Sequence, residues 1–180
     1  MRDCTVMALL DEIQRFPGAL ARDEMALAAT RGLPAAGLAD ALSRPEFLVT
    51  PVSGDWTAAR LRALLASLHG LDAVGVLACL SAEDLVADDT PDRALRDWLD
   101  GGIPPLWTSR RRGSRYAALD GTLTVGDRTL VSVVDEGAHL QPAEMLAHSL
   151  RDNGILLVTP IADDVAALVR SAGLLPSPWA

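Results

Sequence analysis

TLVSVVDEGAHLQPAEMLAHSLRDNGILLVTP, residues 129–160, is the stretch whose reading decides the fold. Thr129 to Val134 is apolar and β-branched, which predicts a strand. Residues 142–151 show the three-and-four apolar spacing of a helix, and Asn153-Gly154 stops it. The run 155–159 is apolar nearly throughout and reads as a second strand, with a helix expected over 163–173. Continuous apolar runs are characteristic of strands buried on both faces, as in parallel sheets. Strand, helix, strand and helix in this order predict βα units. The expected class is therefore α/β: a mostly parallel sheet flanked by helices, Rossmann-like.

Outward from that stretch, FLVTPVSGDW at 47–56 echoes LLVTPIADDV at 156–165, and each segment leads into an amphipathic helix closed by glycine, Gly70 or Gly173. Turns from strand to helix converge on Pro and Asp for geometric reasons, so the echo reads as a second matched βα unit. Between the two, residues 73–80 form another apolar run. A helix over 92–99 points Leu95, Trp98 and Leu99 inward and ends at Gly101-Gly102. Residues 103–108 read as a strand and Arg110 to Gly113 as an exposed turn. Residues 122–125 and 129–134 read as a hairpin around Gly126-Asp127.

Residues 1–45 differ in character. Apolar spacing predicts helices over 4–16, 20–31 and 35–44, separated by Pro17-Gly18 and Gly32. Three short helices followed by an extended stretch suggest a helix-turn-helix-like module, winged-helix in outline, ahead of an α/β domain over 46–180.

The chain has 180 residues, 49% hydrophobic and 22% charged, enough for a packed core without staples. Its formal net charge of −8 disfavours polyphosphate over the surface as a whole, so nucleic acid would need a local basic patch. Cys4 and Cys79 give no disulfide scaffold and suggest a reducing compartment. The three histidines and two cysteines are too scattered for a zinc site, so no metal is expected. No apolar run reaches the length of a membrane span and the first ten residues lack a signal-peptide pattern, so the expectation is a cytoplasmic protein with no membrane partner. The mean hydropathy of +0.21 leaves self-association open.

Two resemblances bear on function. Leu119-Asp120-Gly121-Thr122-Leu123-Thr124 is similar to the signature of haloacid-dehalogenase-type phosphatases. The nucleophile's place there is Ala118, which excludes covalent phosphoryl transfer of that type. Residues 129–175 resemble the later half of class I S-adenosylmethionine-dependent methyltransferases, with Asp135 and Gly154 at corresponding places. That resemblance implies S-adenosylmethionine bound near Asp135. The glycine-rich loop of that family has no counterpart, because AVGVLACLSAEDL at 73–85 offers only Gly75. GxGxxG, GxxxxGK[ST] and GxSxG are absent as well.

Two sets of residues stand out. Asp135, Glu136 and His139 cluster at the end of a strand, where a carboxylate beside an imidazole can act as a base and its orienter. Arg110, Arg111, Arg112 and Arg115 are the one strong basic run, suited to an anion or an acidic partner surface. No complete nucleophile–base set, metal set or phosphate loop can be assembled. The expectation is accordingly a non-catalytic binding or adaptor protein that engages a protein partner through the helical module or the Arg110–Arg115 turn. The alternatives are a divergent methyltransferase and a winged-helix DNA-binding regulator using residues 35–44 and 110–115.

Overall fold

Ala138-His139-Leu140-Gln141-Pro142 has little strand character, yet it forms the strand that sets the topology. The computed structural model describes residues 8–18, 34–161 and 163–179. In chain order the elements are α1 (Ala8–Glu12), β1 (Gln14–Arg15), α2 (Ala35–Leu42), β2 (Phe47–Val52) and α3 (Ala58–Leu68). There follow β3 (Gly75–Ser81), a 3-10 turn (Ala82–Asp84), α4 (Asp92–Leu99), β4 (Ser114–Val125) and β5 (Arg128–Val134). The chain ends with β6 (Ala138–Pro142), α5 (Ala143–Ser149), β7 (Ile155–Pro160) and α6 (Val165–Ser171).

The seven strands form one sheet in the order β2-β7-β3-β4-β5-β6, with β1 against β4. Every pairing is antiparallel. This corrects the mostly parallel, Rossmann-like expectation. The cause is β6, which turns back on β5 through residues 135–137 and pairs Val134 with Ala138 and Val131 with Gln141. That extra reversal precedes α5, so β7 enters the sheet antiparallel to β3 and β2 rather than along them. The echoed segments are likewise antiparallel neighbours. Their alignment matches Val49 with Val158, and the register pairs those same two residues. A local two-fold axis through that pair relates them, and each strand runs on to a helix capped by its own side chain, Thr57 or Asp164.

The apolar runs have a different origin from the one expected. Helices cover both faces of this antiparallel sheet, so alternate residues are buried on opposite sides. Val76, Ala78, Leu80, Ile155 and Leu157 join α3, α5 and α6 on one face. Leu77, Leu156 and Val158 meet Leu38 and Leu42 of α2 on the other. A third cluster packs Leu9 and Ile13 against Leu95, Trp98, Leu99, Leu130 and Leu140. Burying one such leucine contributes about 2 kcal/mol.

Within residues 1–45, helix α1 covers 8–12 of the expected 4–16, and Gln14-Arg15 then pair with Gly121 and Thr122. Gly121 permits that approach, since a Cβ there would lie 2.4 Å from the Gln14 carbonyl oxygen. Asp120 sits at a bulge in β4, ion-paired to Arg15, and its carbonyl accepts from the Phe16 N–H at 3.0 Å. The helix expected over 20–31 lies outside the described residues, and with it the turn that would complete a helix-turn-helix. The hairpin around Gly126-Asp127 is present, with Gly126 at φ 60°. The strand expected at 103–108 reduces to a single bridge between Thr108 and Val86.

Candidate functional site: an ion cluster between a cleft and an arm

The start of β4, the β5–β6 turn and the loop after the 3-10 turn converge on one point, and the two sets of residues singled out in the sequence meet there. Asp135 begins the turn. Its Oδ1 accepts from the Glu136 N–H at 2.6 Å and its Oδ2 lies 2.9 Å from Arg115 Nη1. Arg111 reaches Asp88 at 2.9 Å, Glu136 at 3.0 Å and Asp135 at 3.8 Å. His139 Nε2 stands 3.6 Å from Asp135 and 3.7 Å from Asp88, without hydrogen-bond geometry to either. Arg110 and Arg112 stay at the surface, Arg112 donating to the carbonyls of Ser109 and Arg111.

Gln141, fully buried on β6, sets the histidine tautomer. Its Oε1 accepts from the Val86 N–H and its Nε2 donates to the Val86 carbonyl, both at 3.0 Å, which fixes the amide's orientation. The same Nε2 lies 3.1 Å from His139 Nδ1, which must then be the acceptor. In the neutral ring the proton is on Nε2, facing the carboxylates. Burial pushes the imidazole below its ordinary value, against the raising influence of Asp88 and Asp135. Burial alone would raise the Asp135 carboxyl, but Arg115, His139 and the N–H groups of Glu136 and Gly137 together hold it below the usual range.

Asp88 and Gln141 were not legible as site residues. Asp88 looks like any loop aspartate, and Gln141 belongs to a strand with no strand signature. At the places the methyltransferase resemblance marks, Asp135 has Arg115 and His139 against it. Gly154 lies under Trp179, whose ring a Cβ would approach to 2.3 Å. Cys79 is a buried residue beside Tyr116, and burial foremost pushes that phenol up to about 12. Among the described residues no group of three His, Cys, Asp or Glu side chains is placed to hold a metal ion.

The cluster separates two concave regions. On one side a cleft of about 700 Å³ has an apolar floor of Leu10, Leu95 and Leu140. Asp88, Asp89, Asp92 and Arg93 rim it, and His139 forms part of its wall. On the other side a hollow of about 520 Å³ is lined by Asp88, Asp89, Trp107, Arg110 and Arg111. That second wall belongs to an arm, residues 103–112. Arg128 pins its root, donating to the Gly102 carbonyl at 2.7 Å while lying over the Trp98 ring. Its far end is pinned by Ala87 N–H to the Trp107 carbonyl and Ser109 N–H to the Leu85 carbonyl, both 3.0 Å, and by the ion pairs of Arg111.

The sequence matches a family over residues 13–180, nearly the whole chain. The chain belongs to the family DUF6885. DUF6885 is described as a family of unknown function. No curated protein and no solved structure matches the chain.

Proposed function

We propose that this chain is a non-catalytic binding protein that engages a protein partner through the 103–112 arm. One observation carries the reading. Ile103, Leu106 and Trp107 are 69%, 78% and 48% exposed, three of the seven large exposed hydrophobics among the described residues, and they fall within five positions. Apolar side chains concentrated on one exposed segment mark an interaction surface. Trp and Arg are the residue types that dominate protein interfaces, and Trp107 is followed by Arg110.

The arm is also stiff. Pro104 and Pro105 fix two backbone dihedrals, and both ends are hydrogen-bonded to the body, so less freedom is lost on docking. In this reading the ion cluster is an anchor. Arg111 and Arg115 are neutralised by Asp88, Asp135 and Glu136, which holds the arm's base in place and leaves Arg110 and Arg112 facing outward.

A photo-crosslinking amino acid at Leu106, introduced in cells, tests this. A discrete covalent adduct is expected, lost on Trp107→Ser and not formed when the probe replaces the exposed Val125 on the hairpin. Labelling at Leu106 no stronger than at Val125 would sink the reading.

A further inference from the structure

We infer that the arm's partner is a second copy of this chain. The 103–112 segment of each copy seats in the acidic, apolar-floored cleft of the other, about a two-fold axis beside Asp88-Asp89. The inference rests on the docking-arm reading above and names its occupant.

Three features of the molecule support it. The first is complementarity. The cleft joins an apolar floor to a rim of Asp88, Asp89 and Asp92 with one cation, Arg93, so three carboxylates stand against a single guanidinium. The arm joins Ile103, Leu106 and Trp107 to Arg110 and Arg112. Apolar meets apolar, and Arg110 and Arg112 meet Asp89 and Asp92, the rim carboxylates that Arg111 does not already hold, in a chain whose net charge of −8 otherwise opposes self-association. The second is placement. Asp88 and Asp89 line both the cleft and the hollow beside the arm, so the exposed arm and the recess are neighbours. An isologous two-fold contact needs that layout, because each copy must present both halves of the same patch. Nor can the arm fill its own cleft, since Trp107 and Ser109 are held by Ala87 and Leu85 on the far side of Asp88.

The third is the wall of the cleft itself. The His139 side chain is 6% exposed and its Nε2 has no hydrogen-bond partner. With Nδ1 occupied by Gln141 and Nε2 turned toward Asp135 and Asp88, the ring is held in place as a preformed wall of the cleft. The Ile103-Pro104-Pro105 segment, whose prolines fix two backbone dihedrals, brings a stiff apolar surface to that wall.

The test is the mass of the purified chain by sedimentation velocity and light scattering at micromolar concentration. Twice the 19.0 kDa of one chain is expected. Trp107→Ser and Asp89→Arg, both at exposed positions, should each weaken association by roughly tenfold or more while leaving circular dichroism unchanged. Mixing the two variants restores one intact arm-in-cleft contact, so a fraction at the double mass should return. A purified chain that stays at single mass overturns the inference, as does a dimer indifferent to both substitutions. So does a mixture showing no recovery. A single-mass chain that still forms a Leu106 adduct with some other protein removes the second copy and keeps the docking arm, whereas single mass without any adduct removes both.

Discussion

At the β2–β7 end of the sheet, Val52, Ile155 and Leu157 are sealed beneath α3 and α6. At the opposite end, beside β5 and β6, the interior holds Arg115, Asp135, His139 and Gln141. Both ends are buried, but by different means. Apolar burial is non-directional and tolerates small shifts. A buried polar set is stable only when each donor and acceptor is met, and a half-satisfied one is worse than none. The contrast predicts opposite consequences for removing Gln141, whose amide is fully partnered, and Thr159, whose hydroxyl is not.

The largest effect belongs to Gln141. Its amide serves the N–H and the carbonyl of Val86 and the Nδ1 of His139 at once, with no exposure to water. Gln141→Leu keeps the bulk but leaves the Val86 groups and the ring nitrogen without partners. Destabilisation of about 2–3 kcal/mol is expected in urea unfolding at fixed chain concentration. A loss within a few tenths of zero would mean that water or neighbouring groups replace the amide freely, and that the polar end does not specify geometry.

The same contrast marks what could be read from sequence. At the apolar end the strands were visible as apolar runs, but their direction was not. A run buried on both faces looks alike in a parallel sheet and in an antiparallel one covered by helices on each side. Strand direction depended on β6, where His139 and Gln141 occupy buried positions that alternation would assign to apolar residues. The site was visible as two separate clusters, the arginine run and the Asp135–His139 group. Their meeting requires β4 beside β5 and β5 beside β6, a matter of topology. Asp88 carries no local signal, because its role comes only from what Arg111 and His139 bring to it.

His139 sharpens the comparison by adding pH. Its folded value lies below the ordinary value of about 6.5, so the folded chain refuses a proton that the unfolded chain accepts. Stability is therefore full above about pH 6.5. It falls on acidification until the lowered folded value is reached, by at most about 1.4 kcal/mol per pH unit for one such group. His69, at the apolar-covered face, is shifted in the same direction, mainly by burial, against a backbone bond to Arg15. His139→Gln removes one share of this slope and keeps the other. Superimposable stability profiles for the two proteins between about pH 5 and 7 would show that His139 titrates alike folded and unfolded.

Thr159 supplies the smallest effect and the opposite sign. It lies on β7 at the apolar end, wholly buried, and its Oγ1 has no hydrogen-bond partner. The hydroxyl is desolvated on folding with nothing gained in return. Valine has nearly the same shape and matches β-strand preference. Thr159→Val should therefore stabilise the chain by about 1 kcal/mol, visible as a rise in the unfolding midpoint with an unchanged denaturant slope. Gln141→Leu and Thr159→Val each exchange a buried polar side chain for an apolar one of similar size. If both destabilise, burial at the β2–β7 end is not of the simple apolar kind. If both stabilise, the bonds drawn from Gln141 contribute less than its desolvation costs. Opposite signs would establish that the difference lies in whether each polar group has partners, and not in its depth.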